Sequence, residues 1–228
     1  PLLRGQTAGV TVSRLPDRFA LLDGGGANVV AFSAGDGLFL VDSGVAGNGD
    51  KLIAALKGVA ANSKVNTLFN THYHPDQTGN NETFAASGAK IIAHDRTRQW
   101  MANDFWIPEE SRYEKARSKG AWPTQTFFNK ESMKIGTEQI DYGYLLDAHT
   151  GGDAYVYFKD SNILVVGDVA SPVKDPELDW ITGAWIGARG GAMPDIANTG
   201  VFILWGYNPS QSRLAHPTPL VEALKRGM

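Results

Sequence analysis

The chain has 228 residues, 43% apolar and 20% charged, a globular composition that suits one compact domain. With 21 Lys and Arg against 24 Asp and Glu, the net charge of −3 argues against a nucleic-acid footprint, and no apolar run reaches the ~18 residues of a membrane span. The absence of cysteine excludes disulfide scaffolds, thiolate metal sites, cysteine nucleophiles and iron–sulfur clusters.

Residues 18–44 read as a β-meander: Arg18–Leu22, Asn28–Phe32 and Leu38–Val41, separated by Gly/Asp turns. Leu52, Ile53, Leu56 and Val59 predict an amphipathic helix over 49–60. Val65–Phe69 and Ile91–Ala93 are short strands, and Asp95 is a candidate cap for a helix over Arg96–Ala102. This β-α-β alternation predicts a layered α/β sheet. Residues 100–128 mix Trp100, Phe105, Trp106, Tyr113, Trp122, Phe127 and Phe128 with charges of both signs. The segment is either a helical excursion packed on the core or a cover over a site. Residues 132–146 suggest a β-hairpin, and Ala154–Phe158 and Ile163–Val166 are strong strands.

Any metal must be held by imidazole and carboxylate, and there are only five histidines: His72, His74, His94, His149 and His216. His72-x-His74-x-Asp76 directly follows a strand, where alternate side chains point the same way. His149-Thr-Gly-Gly-Asp153 lies between strands, and Gly167-Asp168 ends another. Three imidazoles with carboxylates at strand ends match what Zn²⁺ takes in the absence of thiolate. His94 is either a structural histidine bonded to backbone or a substrate contact. His216 reads as surface.

Thr71-His-Tyr-His-Pro-Asp76, Ala148-His149-Thr-Gly-Gly-Asp153 and Val166-Gly-Asp168, in this order, resemble the metallo-β-lactamase superfamily of hydrolases. The resemblance runs from about Arg18 to Arg189 and includes Val41-Asp42-Ser-Gly44, where Asp42 resembles an aspartate that supports the metal ligands. It implies an αββα sandwich: two mixed β-sheets face to face with flanking helices. It also implies a first metal site of His72, His74 and His149, and a second built on Asp76 and Asp168. Gln77 stands where the second site takes a histidine. Gly206-Tyr-Asn-Pro209 places Tyr207 where the final histidine belongs. Amide and phenol are poorer zinc ligands than imidazole, so one zinc is expected to bind tightly and a second weakly or not at all.

The function so implied is metal-dependent hydrolysis of an ester, lactone, thioester or β-lactam carbonyl in a small molecule, with Asp76 orienting and deprotonating the attacking water. Trp106 and the aromatic segment suit an apolar part of the substrate. Two other readings stay open: a mono-iron sulfur dioxygenase using His72, His149 and Asp168, and a non-catalytic binding protein with a relic site. Cytoplasm and periplasm are both compatible with the sequence, and Pro1, not a natural start, leaves a removed leader open.

Residues 1–194 form the expected main domain. In the segment 195–228, Val201–Trp205 reads as a buried strand and 217–226 as a helix with proline at its start and cations at its end. This segment either completes the sandwich or is a separate appendage. Leu204-Trp-Gly-Tyr-Asn-Pro209 also resembles a short strand–turn–helix piece of molybdopterin oxidoreductases.

Overall fold

The computed structural model describes residues 10–169, without 16–17, 24–26, 108–111 and 147. The chain separates into two units, Pro1–Leu146 with Thr150–Gly167, and Asp147–His149 with Asp168–Met228. The expected boundary at residue 194, the strand at 201–205, Tyr207, His216 and the final helix lie outside the described residues.

All the described strands and α-helices belong to the first unit. In chain order they are β1 (Thr11–Arg14), β2 (Phe19–Asp23), β3 (Asn28–Ser33), β4 (Leu38–Val41), α1 (Gly49–Leu56), β5 (Val65–Asn70), α2 (Pro75–Thr78), α3 (Asn81–Ala86), β6 (Lys90–His94) and α4 (Asp95–Ala102). There follow β7 (Phe105–Ile107), β8 (Arg112–Glu114), β9 (Gln125–Phe127), β10 (Lys130–Ile135), β11 (Glu138–Tyr144), β12 (Ala154–Phe158) and β13 (Ile163–Val165). One sheet has the order β1-β2-β3-β4-β5-β6-β9. Its first four strands are antiparallel, and β4, β5, β6 and β9 run parallel. The other sheet, β10 to β13, is antiparallel throughout its described strands.

Period-2 alternation sorts the first sheet's side chains into two cores. In β4, Leu38 and Leu40 face one way, onto α1 and α3, with Leu52, Leu56 and Phe84. Phe39 and Val41 face the other way, onto the second sheet, with Ile140, Tyr142, Val156 and Phe158. The same split places Leu68 on the helix side and Phe69 on the sheet side. Strands buried on both faces read as continuous apolar runs, as β4 does. Phe158 is the centre of the inter-sheet core. It meets Phe19 at 4.7 Å, Phe32 at 5.5 Å and Phe39 at 5.7 Å between ring centroids.

The meander, the β5 and β6 strands and the hairpin of β10 and β11 form as the pattern predicts. Helix α1 stops at Leu56 instead of residue 60, because Gly58 and Val59 turn back to Ala55 and Leu56 in tighter i→i+3 bonds. Asp95 is not the cap of α4. His94 takes that position with extended backbone, and its Nδ1 accepts the Arg96 N–H at 3.3 Å. Asp95 already lies in the first turn, where it accepts from Gln99 Nε2 at 2.6 Å. Residues 100–128 are more regular than expected: the end of α4, the hairpin β7–β8, a 3-10 turn at Lys119–Ala121, and β9 docked on β6. Among the described residues, no helix is long and apolar enough to cross a membrane.

Candidate metal centre

The parallel strands β4, β5 and β6 end side by side, and their carboxyl ends carry Asp42, Thr71-His72 and His94. That end of a parallel sheet is where α/β folds place their ligands. Asp42 is buried and holds φ +63°, a left-handed conformation that short polar residues tolerate best. Its carboxylate accepts the Thr71 N–H at 2.8 Å and the Thr71 hydroxyl at 2.7 Å. Thr71 Oγ1 lies 3.1 Å from His72 Nδ1.

These contacts decide the tautomer of His72. The hydroxyl has one proton, given to the carboxylate, so towards His72 it can only accept. Nδ1 therefore carries the proton, and Nε2 keeps its lone pair. Carboxylate–hydroxyl–imidazole support of this kind orients a metal ligand and raises its basicity.

His72 Nε2 lies 3.2 Å from His74 Nδ1, with the rings at 82°. The ligand-to-ligand edge of a tetrahedral zinc site is about 3.3–3.4 Å for Zn–N bonds of ~2.0–2.1 Å. The pair is thus spaced as two imidazole ligands would be. His72 is fully buried and His74 half-buried.

The chain turns at once into α2, whose first residue is Pro75. Thr78 donates its hydroxyl to the His74 carbonyl at 2.9 Å, which fixes the turn. Gly79 follows because a Cβ there would strike the backbone of Gly44, Ala46 and Pro75. Behind the turn lies a buried amide cluster. Asn81 exchanges bonds with Asn70 at 2.8 and 3.1 Å, accepts from Ser43 Oγ at 2.9 Å and donates to the Ala121 carbonyl at 2.9 Å. It links the loop after Asp42 to the strand that leads into His72.

In the second unit, His149 and Asp168 are both half-buried and offer ligand atoms within 4.8 Å of one another. In the first unit, Asp153 is buried and accepts from Thr150 twice, from its N–H and from its hydroxyl. Asp153 therefore shapes the turn after His149. Gly152 packs on α4: a Cβ would strike Thr97, whose hydroxyl donates to the Gly152 carbonyl at 2.8 Å. Gly167, at φ +57°, lies so close to Thr71 that a Cβ would overlap its side chain.

The other site residues read from the sequence fall as follows. Asp76 lies in the first turn of α2 and is half-buried. Gln77 is buried in the same turn. Both nitrogens of His94 are occupied by backbone: Nε2 donates to the Phe128 carbonyl at 3.0 Å, and Nδ1 caps α4. Its ring stacks on Tyr144 at 4.1 Å, and burial holds its pKa below the usual histidine value. Trp106 pairs across the hairpin with Tyr113, both exposed. Tyr207 lies outside the described residues.

Sequence patterns missed Thr71, Asp153 and Asn81 as supports, and Tyr73 as a neighbour of His74. The signal for Thr71 was its place between a strand and a metal-ligand motif. For Asn81 there was none, because its partners are 11 to 40 residues away.

The metallo-beta-lactamase superfamily profile matches residues 22–207. The chain belongs to that superfamily. No curated protein matches it. Among solved structures it is similar to a metallo-beta-lactamase from Pontibacter korlensis, with 20% identity, TM-score 0.58, and 72% of this chain and 74% of that chain covered. It is also similar to metallo-beta-lactamase IND-7, with 19% identity, TM-score 0.59, and 75% and 76% covered. A third is BJP-1, a subclass B3 metallo-beta-lactamase of Bradyrhizobium japonicum, with 16% identity, TM-score 0.57, and 73% and 66% covered. At these identities the likeness shows the αββα fold. The family match extends to residue 207, and no comparison supports the resemblance to molybdopterin oxidoreductases.

Proposed function

We propose that the chain is a metal-dependent hydrolase in which His72, His74 and His149 hold one divalent ion, zinc for preference, with Asp168 belonging to a weaker second position. One observation carries this reading: His72 Nε2 lies 3.2 Å from His74 Nδ1, the spacing of two imidazoles on one ion, while His149 and Asp168 offer ligand atoms within 4.8 Å of one another. Three neutral imidazoles, without thiolate, are a donor set that zinc accepts. The ion, when bound, supplies Lewis acidity and brings the pKa of water near ~7.

The chain's own residues do the rest. Thr71 and Asp42 hold His72 in its Nδ1–H tautomer, which makes Nε2 the lone-pair nitrogen that a metal would take. The buried Asn81 cluster keeps the loops after β4 and β5 in place. Asp76, in the first turn of α2, takes a proton from the attacking water in this reading and passes it to the leaving group. Gln77, with no imidazole beside Asp76, leaves the second metal position weak. The substrate is a small molecule with an ester, lactone, thioester or β-lactam carbonyl.

His74 weighs against the mono-iron dioxygenase reading. A set of His72, His149 and Asp168 would leave idle an imidazole 3.2 Å from His72. The test is metal content after dialysis, with turnover of an ester, lactone, thioester and β-lactam panel by the loaded protein. One zinc per chain and hydrolysis of at least one class are expected. Iron with oxygen uptake, or no retained metal, would overturn the reading.

A further inference from the structure

Trp100 stands on the exposed side of α4 and touches both loops from which the histidines project. Its ring stacks on Tyr73, the residue between His72 and His74, at 5.3 Å and 18°. Its Nε1 lies 3.3 Å from the position a Cβ on Gly151 would take, two residues after His149. Tyr73 in turn meets His74 at 4.6 Å. Phe105, the first residue of the outer hairpin, closes edge-on against both Trp100, at 4.5 Å, and Tyr73, at 5.7 Å.

Buried rings packed this way would be ordinary core. Trp100 is not buried: it is 36% exposed, while Phe127 and Phe158 in the core are at most 1%. Strand alternation puts Phe105 and Trp106 on opposite faces of the hairpin, so the exposed Trp106–Tyr113 pair lies on the face away from Phe105. The aromatic surface that continues from His74 is therefore Trp100 with Tyr73, and not Trp106. A rigid ring with open area beside a polar centre gives orientation to a flat apolar group and repays little entropy on binding.

We propose that Trp100 is a specificity-determining residue, its exposed ring receiving an aromatic group of the substrate next to the carbonyl under attack. The substrate class is thereby narrowed to aryl-bearing acyl compounds. This rests on the metal-centre reading above.

The test uses the zinc-loaded full chain and two chelating probes, phenylacetohydroxamate and acetohydroxamate, which share a metal-seeking head and differ in the aryl group. Equilibrium binding by calorimetry is expected to favour the phenyl compound roughly tenfold in the unaltered chain. Trp100→Ala is expected to reduce that ratio below about threefold, and Trp100→Phe to keep most of it, since a smaller ring can still stack. An unchanged ratio in Trp100→Ala, or no preference in the unaltered chain, would overturn the assignment while the metal site stands. Binding of neither probe to a chain that has taken up no zinc would overturn both.

Discussion

Thr71 and Asp42 are joined twice, N–H to Oδ1 at 2.8 Å and hydroxyl to Oδ2 at 2.7 Å, and both groups are buried. The hydroxyl bond commits the one proton of the Thr71 hydroxyl, and so the far side of its oxygen faces His72 as an acceptor. Thr71→Val keeps the shape and removes that acceptor. It is expected to weaken metal binding about 10- to 100-fold, with Thr71→Ser close to the unaltered chain. Competition against a chromophoric chelator measures this. Equal affinity in the valine variant would show that the tautomer is not set here.

His149→Ala leaves the His72–His74 pair and Asp168, and the chain is expected to lose its zinc on dialysis against a moderate chelator. The unaltered chain should retain one ion. Gln77→His restores an imidazole beside Asp76 and should raise the count towards two under excess metal. Atomic absorption on the three proteins decides it, and a count of two in the unaltered chain would mean that the second position is already complete.

Phe158 fills the space between the sheets against Phe19, Phe32 and Phe39. Phe158→Ala opens a cavity that four strands bound and is expected to cost about 3–5 kcal/mol. Urea unfolding by far-UV circular dichroism should show an earlier midpoint with little change in slope. A loss under about 1 kcal/mol would imply that the sheets can close over the void.

His94 is buried, stacked on Tyr144, and held below the ordinary histidine pKa, chiefly by desolvation. The unfolded chain therefore takes up a proton at a pH where the native chain does not. Stability from neutral His94 is complete above the unfolded value of about 6.5 and is lost as pH falls from there through the lowered native value. Other groups titrate as well, so the comparison is with His94→Asn, which can still cap α4 but does not titrate. Between pH 7.5 and 5 the unaltered chain should lose more stability than the variant. Parallel losses would show that His94 is not the source.

Much of this molecule can be read from its pattern, for reasons visible in particular residues. β4 is buried on both faces, so Leu38–Val41 is an unbroken apolar run, and His72 and His74 sit two apart just after a strand. Such signals are local. What the pattern does not carry is long-range pairing: Thr11–Arg14 is a strand only because it bonds β2, and its side chains are exposed. The hairpin at 105–114 is similar, since Phe105 is placed by Trp100 and Tyr73 and not by any period of its own. At the site, the histidines were legible by type and spacing. The supports were not, because Asn81 is an ordinary polar residue until the fold surrounds it with partners.

The Ala154 N–H donates to the Thr71 carbonyl at 2.8 Å. That one hydrogen bond stitches the first residue of β12, in the second sheet, to the loop between β5 and His72, in the first. Opening the seam between the sheets at this end releases that amide to solvent and frees the peptide that carries His72 in the same event. Deuterium uptake at Ala154 thus becomes a clock for the integrity of the metal loop. An ion that grips His72 should slow that clock by clamping the peptide, although the amide itself touches no metal.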